Sequence, residues 1–65
     1  MKVRYFADID TLWIELRGAP AAETRDLDED ALIEIDEDGN VCAITLEHAS
    51  ERTDVSQISL ERVPA

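Results

Sequence analysis

Glu34, Asp36 and Asp38 alternate along EIDEDGNV, residues 34–41, with Gly39 directly behind them. Carboxylates at alternate positions before a glycine open the first half of an EF-hand loop, so calcium binding is the first chemistry to weigh. Counted from Glu34, Asp36 takes loop position 3, Asp38 position 5 and Gly39 position 6. Position 12 needs a bidentate carboxylate, and it falls on Thr45. The flanks are β-like runs where the motif needs helices. The stretch reads instead as a sharp turn in an acidic protein. Eight acids and no base fall between Asp26 and Asp38, so weak divalent-cation binding is kept as an alternative.

The other reactive side chains lack catalytic company. His48 follows Glu47 and precedes Ser50 by two residues. A Ser/His pair catalyses acyl transfer only when the base reaches the nucleophile and a third group orients it. Neighbours on one segment are better read as structural, at a helix start. Cys42 lies within an apolar run with no base beside it in sequence to form a thiolate, and reads as a small buried hydrophobe. Acid/base catalysis by paired carboxylates needs one of them in an apolar pocket, for which so short a chain has little room. The only glycines are Gly18 and Gly39, so no phosphate-binding glycine loop exists. We expect no catalysis, no cofactor, no metal site with proper ligand spacing and no specific small-molecule ligand.

The elements that must position these residues are short. VRYFA, residues 3–7, and TLWIEL, residues 11–16, read as a hairpin. Within the second strand Leu12, Ile14 and Leu16 share one face, and Thr11, Trp13 and Glu15 the other. Gly18, Ala19 and Pro20 break the pattern, placing a loop from Arg17 to Ala22. ETRDLD, residues 23–28, reads as an edge strand whose charges discourage stray pairing. ALIEI, 31–35, and VCAITL, 41–46, follow, the latter as the most buried strand. The Asp38-Gly39 pair between them is the strongest hairpin signal of the chain. A short helix is expected from about Ala49 to Thr53. Residues 57–62 read as a sixth strand, with a helix capped by Asp54 and Gln57 as the alternative. The expected fold is mainly β (α+β): an antiparallel meander of five to six short strands with one short helix after the fifth, in one domain spanning 1–65.

Composition bounds the partners. With 65 residues, a core is expected to supply roughly 3–5 kcal/mol, so such chains often need a staple. One cysteine and one histidine allow neither an internal disulfide nor a Cys/His zinc site, which leaves a second subunit or a protein partner. Acids number 16 against 6 bases, for a net charge of -10. That charge is repelled by nucleic acid and anionic membranes and attracts basic proteins. The hydrophobic fraction of 45%, in clusters, argues against disorder. The start shows no signal-peptide pattern, and no apolar run approaches the roughly 20 residues that span a bilayer. The single cysteine suits a reducing compartment, so a cytoplasmic protein is expected, as a homodimer or as a heterodimer with a basic protein.

One run, ETRDLDEDALIEIDEDGNVCAITLEHAS, resembles the heart of a small bacterial family, domain of unknown function 2283. Tyr5, Asp10, Leu12, Trp13 and Ile14 match its opening pattern, and Glu23 and Thr24 its middle. Ile35, Asp36, Gly39, Val41, Ile44, Leu46, Ala49 and Ser50 match its close. The resemblance covers about residues 3–52. Phe6 stands where the family usually has Asp, and Ala43 where it usually has Gly. The family carries no established activity. Its genes often neighbour one for a small toxin-like protein of the ribonuclease type, which implies an antitoxin-like role.

Three function classes follow. The leading one is a non-catalytic binding module for a basic protein. The second is a homo-oligomeric structural or regulatory protein without a charged partner. The third is an enzyme or a cation-binding protein. A basic partner would meet the carboxylates of Asp28, Glu29 and Asp30 at one turn and of Asp36, Glu37 and Asp38 at the next, at opposite ends of the sheet. Exposed ion pairs contribute only about 0–1 kcal/mol each, so affinity needs an apolar anchor. Trp13, Ile58 and Leu60 are the candidates.

Overall fold

Five strands form one antiparallel sheet in a computed structural model that describes residues 1–64: β1 (Lys2–Phe6), β2 (Thr11–Glu15), β3 (Glu23–Asp28), β4 (Ala31–Ile35) and β5 (Val41–Glu47). β3 and β4 have the bounds that alternation and turn residues predict. β1 is shifted by one residue toward the start of the chain, β2 ends one residue earlier than expected and β5 one residue later. A single 3-10 turn, Ala49–Glu51, takes the place of the short helix expected over 49–53.

The spatial order is β1-β2-β5-β4-β3. Successive strands pair as expected for β1 with β2, β3 with β4 and β4 with β5. The meander order does not extend across β2 and β3, because β5 inserts between β2 and β4. The physical reason lies in polarity. β5 carries more apolar residues than any other strand and gains most from neighbours on both sides. All six residues of β3 are exposed, which suits an edge.

Residues 57–62 form neither the expected strand nor the alternative helix. No sheet edge receives them. Instead the segment runs past one sheet face, where Val55 and Ile58 line a groove with Val3, Leu12 and Ile14.

The register lays the side chains out in complete rows. On one face run Val3, Ile14, Ile44, Ile33 and Arg25, then Tyr5, Leu12, Leu46, Ala31 and Asp28. On the other run Arg4, Trp13, Thr45, Leu32 and Asp26, then Lys2, Glu15, Ala43, Glu34 and Thr24. A bulge at Cys42 sets Ile35 opposite Val41 and Glu34 opposite Ala43. The buried apolar residues are few and mostly small: Leu12, Ala31, Ile35, Cys42, Ala43 and Ala49. The molecule is a slab of 36 × 33 × 18 Å, and the described residues form no second layer of regular structure to close a core.

Candidate functional site

The β4–β5 turn shows what the Asp36 carboxylate holds. Asp36 ends β4's extended run and turns its carboxylate inward, where it is only 9% exposed. Its Oδ1 accepts the backbone N–H groups of Asp38 at 2.9 Å and Asn40 at 3.0 Å. The backbone closes the same turn, with Gly39 donating to the Asp36 carbonyl at 3.1 Å and Asp36 donating to that of Asn40 at 2.9 Å. Gly39 has φ +85, a left-handed conformation that costs a side chain about 1–2 kcal/mol. Asp36 is therefore the residue that folds the turn. Arg17 lies 3.7 Å from its other oxygen. Glu37 and Asp38 remain exposed, beside Ala19 and Pro20, which complete a cleft of about 220 Å³. Among the described residues no group of three or more His, Cys, Asp or Glu converges as metal ligands would.

At the opposite end the β3–β4 turn is tied to the chain after β5. Asp28 accepts the backbone N–H of Asp30 at 2.8 Å and pairs with Arg52 at 3.2 Å. Asp30 meets His48 Nδ1 at 2.9 Å. The bases missing from the 26–38 run thus arrive from residues far along the chain, a neutralisation that no local reading could find. The backbone bond from Asp30, helped by Arg52, holds the Asp28 carboxyl below its ordinary range. Glu29 is the one acid of this turn with no ion pair among the described residues. The six patch residues do split between two ends of the sheet, separated by the length of β4.

The hydrogen bond to Asp30, reinforced by its charge and by Glu51 and Glu47, raises the His48 pKa above 6.5. The protonated form is favoured by folding. Its contribution is complete below the unfolded pKa and is lost as pH rises through the folded one. The melting temperature should fall as pH is raised from about 5.5 to about 8.5. In His48→Gln that fall should shrink, isolating the imidazole from general charge repulsion.

A third cluster surrounds Asp10. Its Oδ1 accepts the Tyr5 hydroxyl at 2.6 Å and the Ser50 N–H at 3.1 Å, and its Oδ2 accepts the Ser50 hydroxyl at 2.6 Å. The Asp10 carbonyl accepts from Ala49 N–H at 2.9 Å. Ala49 itself is fully buried. Asp10 thereby clasps the β1–β2 turn to the 3-10 turn after β5. Ser50 above all, then Tyr5, draws the Asp10 carboxyl below its ordinary range, and the same contact raises Tyr5. His48 and Ser50 are engaged by different carboxylates. They form no nucleophile–base pair. Cys42 is 2% exposed and its thiol donates to the Glu34 carbonyl.

Trp13 lies on the sheet face away from the C-terminal segment. It is half-buried, and the Arg4 guanidinium stacks over its ring at 5.6 Å from the centroid. Arg4, Phe6, Ile9, Thr11, Trp13 and Thr45 line an open groove of about 370 Å³. Ile58 and Leu60, the other expected anchors, lie elsewhere. Ile58 borders the opposite face, and Leu60 is 83% exposed. The three therefore do not form one surface.

A family model described as a protein of unknown function, DUF2283, matches residues 2–50. The chain belongs to the DUF2283 family. No curated protein and no solved structure matches it. The residues through which the chain resembles DUF2283 now have physical roles. Tyr5, Asp10, Ala49 and Ser50 make the clasp. Asp36 and Gly39 make the β4–β5 turn. Leu12, Ile14, Ile44 and Leu46 meet in rows on one face. These DUF2283 positions take part in building the fold.

Proposed function

We propose that the chain is a non-catalytic protein-binding module that recruits a basic partner, of which a toxin-like protein is one kind, through the β4–β5 end of its sheet. One observation carries this reading. The acids at the β3–β4 end are largely taken up by Arg52 and His48, whereas Glu37 and Asp38 stand exposed with no ion pair among the described residues. Beside them, Ala19 and Pro20 offer apolar surface. A cleft with an apolar wall and a carboxylate rim suits a Lys or Arg side chain, whose stem packs while its head stays near charge. The net charge of -10 would steer such a partner from a distance.

The test is association kinetics with a small basic protein, beginning with the product of the adjacent reading frame. In the Glu37→Gln/Asp38→Asn variant, association should slow about 10-fold and its salt dependence should weaken. Neutralising Asp28, Glu29 and Asp30 should have a smaller effect. Equal rates for the wild type and the Glu37/Asp38 variant would refute the assignment.

A further inference from the structure

The face opposite the C-terminal segment carries a charge gradient that asks for its own mirror. Its central row begins at a cation, Arg4 on edge strand β1, and passes through Trp13, Thr45 and Leu32. It ends at an anion, Asp26 on the other edge strand, β3. We propose that this face pairs with the same face of a second copy, about a twofold axis lying parallel to the strands above β5. This surface is separate from the acidic end assigned above to a basic partner.

Three observations support it. The first is exposed area. A folded monomer of 7.3 kDa is expected to expose about 4,200 Å², and this chain exposes 5100 Å². The excess of about 900 Å² includes the exposed C-terminal segment, so the face supplies part of it; a standard interface buries roughly 800 Å² of each partner. The second is composition. The face offers the only tryptophan, stacked under an arginine, and beside them Phe6 at 42% and Ile9 at 63% exposure. Tryptophan and arginine are enriched among the residues that anchor interfaces.

The third observation is charge, which selects the axis. An axis parallel to the strands sets β1 over β3 of the second copy, bringing Arg4 toward Asp26 at both symmetry-related contacts. Trp13 then meets Leu32, and Thr45 meets its own counterpart on the axis. An axis across the strands would set Arg4 on Arg4 and Asp26 on Asp26, like charge on like at both edges. The neighbouring row, Lys2 to Thr24, would bring Glu15 toward Glu34. On the Phe6 side the next row runs Phe6, Thr11 and Glu47 and sets Glu47 toward its own counterpart near the axis. The contact therefore centres on the Trp13 row, with Glu15 and Glu34 toward the rim on the Lys2 side and Glu47 toward solvent at the end of β5.

Sedimentation velocity on a charge-swapped pair tests the axis as well as the dimer. The wild type should sediment as a dimer at micromolar concentration, and Trp13 emission should shift to shorter wavelength as the dimer forms. Arg4→Glu alone and Asp26→Arg alone should each weaken the dimer about 100-fold, since each change acts at both contacts. An equimolar mixture of the two variants should regain the dimer. In that mixed dimer one contact sets the introduced carboxylate of the first variant against the introduced guanidinium of the second. The other contact keeps the native pairing of Arg4 with Asp26. Far-UV circular dichroism should show both single variants folded, as both sites are exposed. A wild type that stays monomeric would overturn the proposal. So would a mixture that fails to dimerise, or Arg4→Glu pairing with wild type in preference to Asp26→Arg.

Discussion

Replacing Asp36 with Ala should lower stability by about 2 kcal/mol, the upper part of the range for losing a side-chain cap on backbone N–H groups. For a domain this small that corresponds to a fall of about 8–16 °C in melting temperature. The cause is local. One carboxylate oxygen holds the N–H groups of both Asp38 and Asn40, and with them the chain reversal between β4 and β5. Asp36→Asn keeps a neutral, weaker acceptor oxygen at that place and loses the attraction to Arg17. That guanidinium is half exposed and 3.7 Å away, a pairing expected to contribute about 0–1 kcal/mol. Thermal melts of the two variants separate turn formation from charge. Equal losses in Ala and Asn would show that the ion pair, rather than the turn, matters at this position.

The Asp10 clasp should rank with it. Asp10 sits at φ 49, in the left-handed region, which Asn tolerates and Ala resists. Asp10→Asn therefore tests the hydrogen bonds without adding backbone strain. It should lower the melting temperature by more than Tyr5→Phe or Ser50→Ala alone, since it weakens the acceptor for both. Combining Asp10→Asn with Ser50→Ala should cost less than the two separate losses added together. Amide exchange at Ala49 and Ser50 should accelerate well before exchange in β4 and β5. The clasp also has a pH signature. Asp10's pKa is lowered in the folded state, so its contribution is present above the ordinary carboxylate pKa and fades as pH falls through the lower folded value. The acid limb of the stability profile should flatten in Asp10→Asn. An unchanged limb would assign it to other carboxylates.

Alternation and turn chemistry made most strands readable, because both act over neighbouring residues. Asp38-Gly39 marks a reversal whatever the rest of the chain does. ETRDLD carries its edge position in its own charges. What local patterns do not hold is which strands meet. β5 slips between β2 and β4 because its apolar residues need two neighbours, a demand satisfied only by residues distant in sequence. The same limit hid the ion pairs. Arg52 and His48 meet Asp28 and Asp30 through the sheet, so a run that looked uniformly acidic is partly neutralised at one end. Asp10 lies between the two strands of the first hairpin, and only the resemblance singled it out. Its role appears only when the β5 end brings Ser50 beside it. Residues 57–62 show the converse. Serine and β-branched composition suggested a strand, but composition supplies no partner edge.

The strand order also sets the route by which the chain can reach its sheet. β3, β4 and β5 are joined through connections of two and five residues, and β1 and β2 through four. Both hairpin units close cheaply and early, because short loops sacrifice little entropy. The pairing of β2 with β5 brings position 11 to position 47 and must come late. Docking of the two units is then the slow step, and the Asp10 clasp closes with it. Until that moment β5 presents an open edge, and the β2 edge of another molecule fits it as well as its own. The seven-residue connection from 16 to 22 decides between the two outcomes. Shortening it should favour exchange of hairpins between chains during refolding at high concentration.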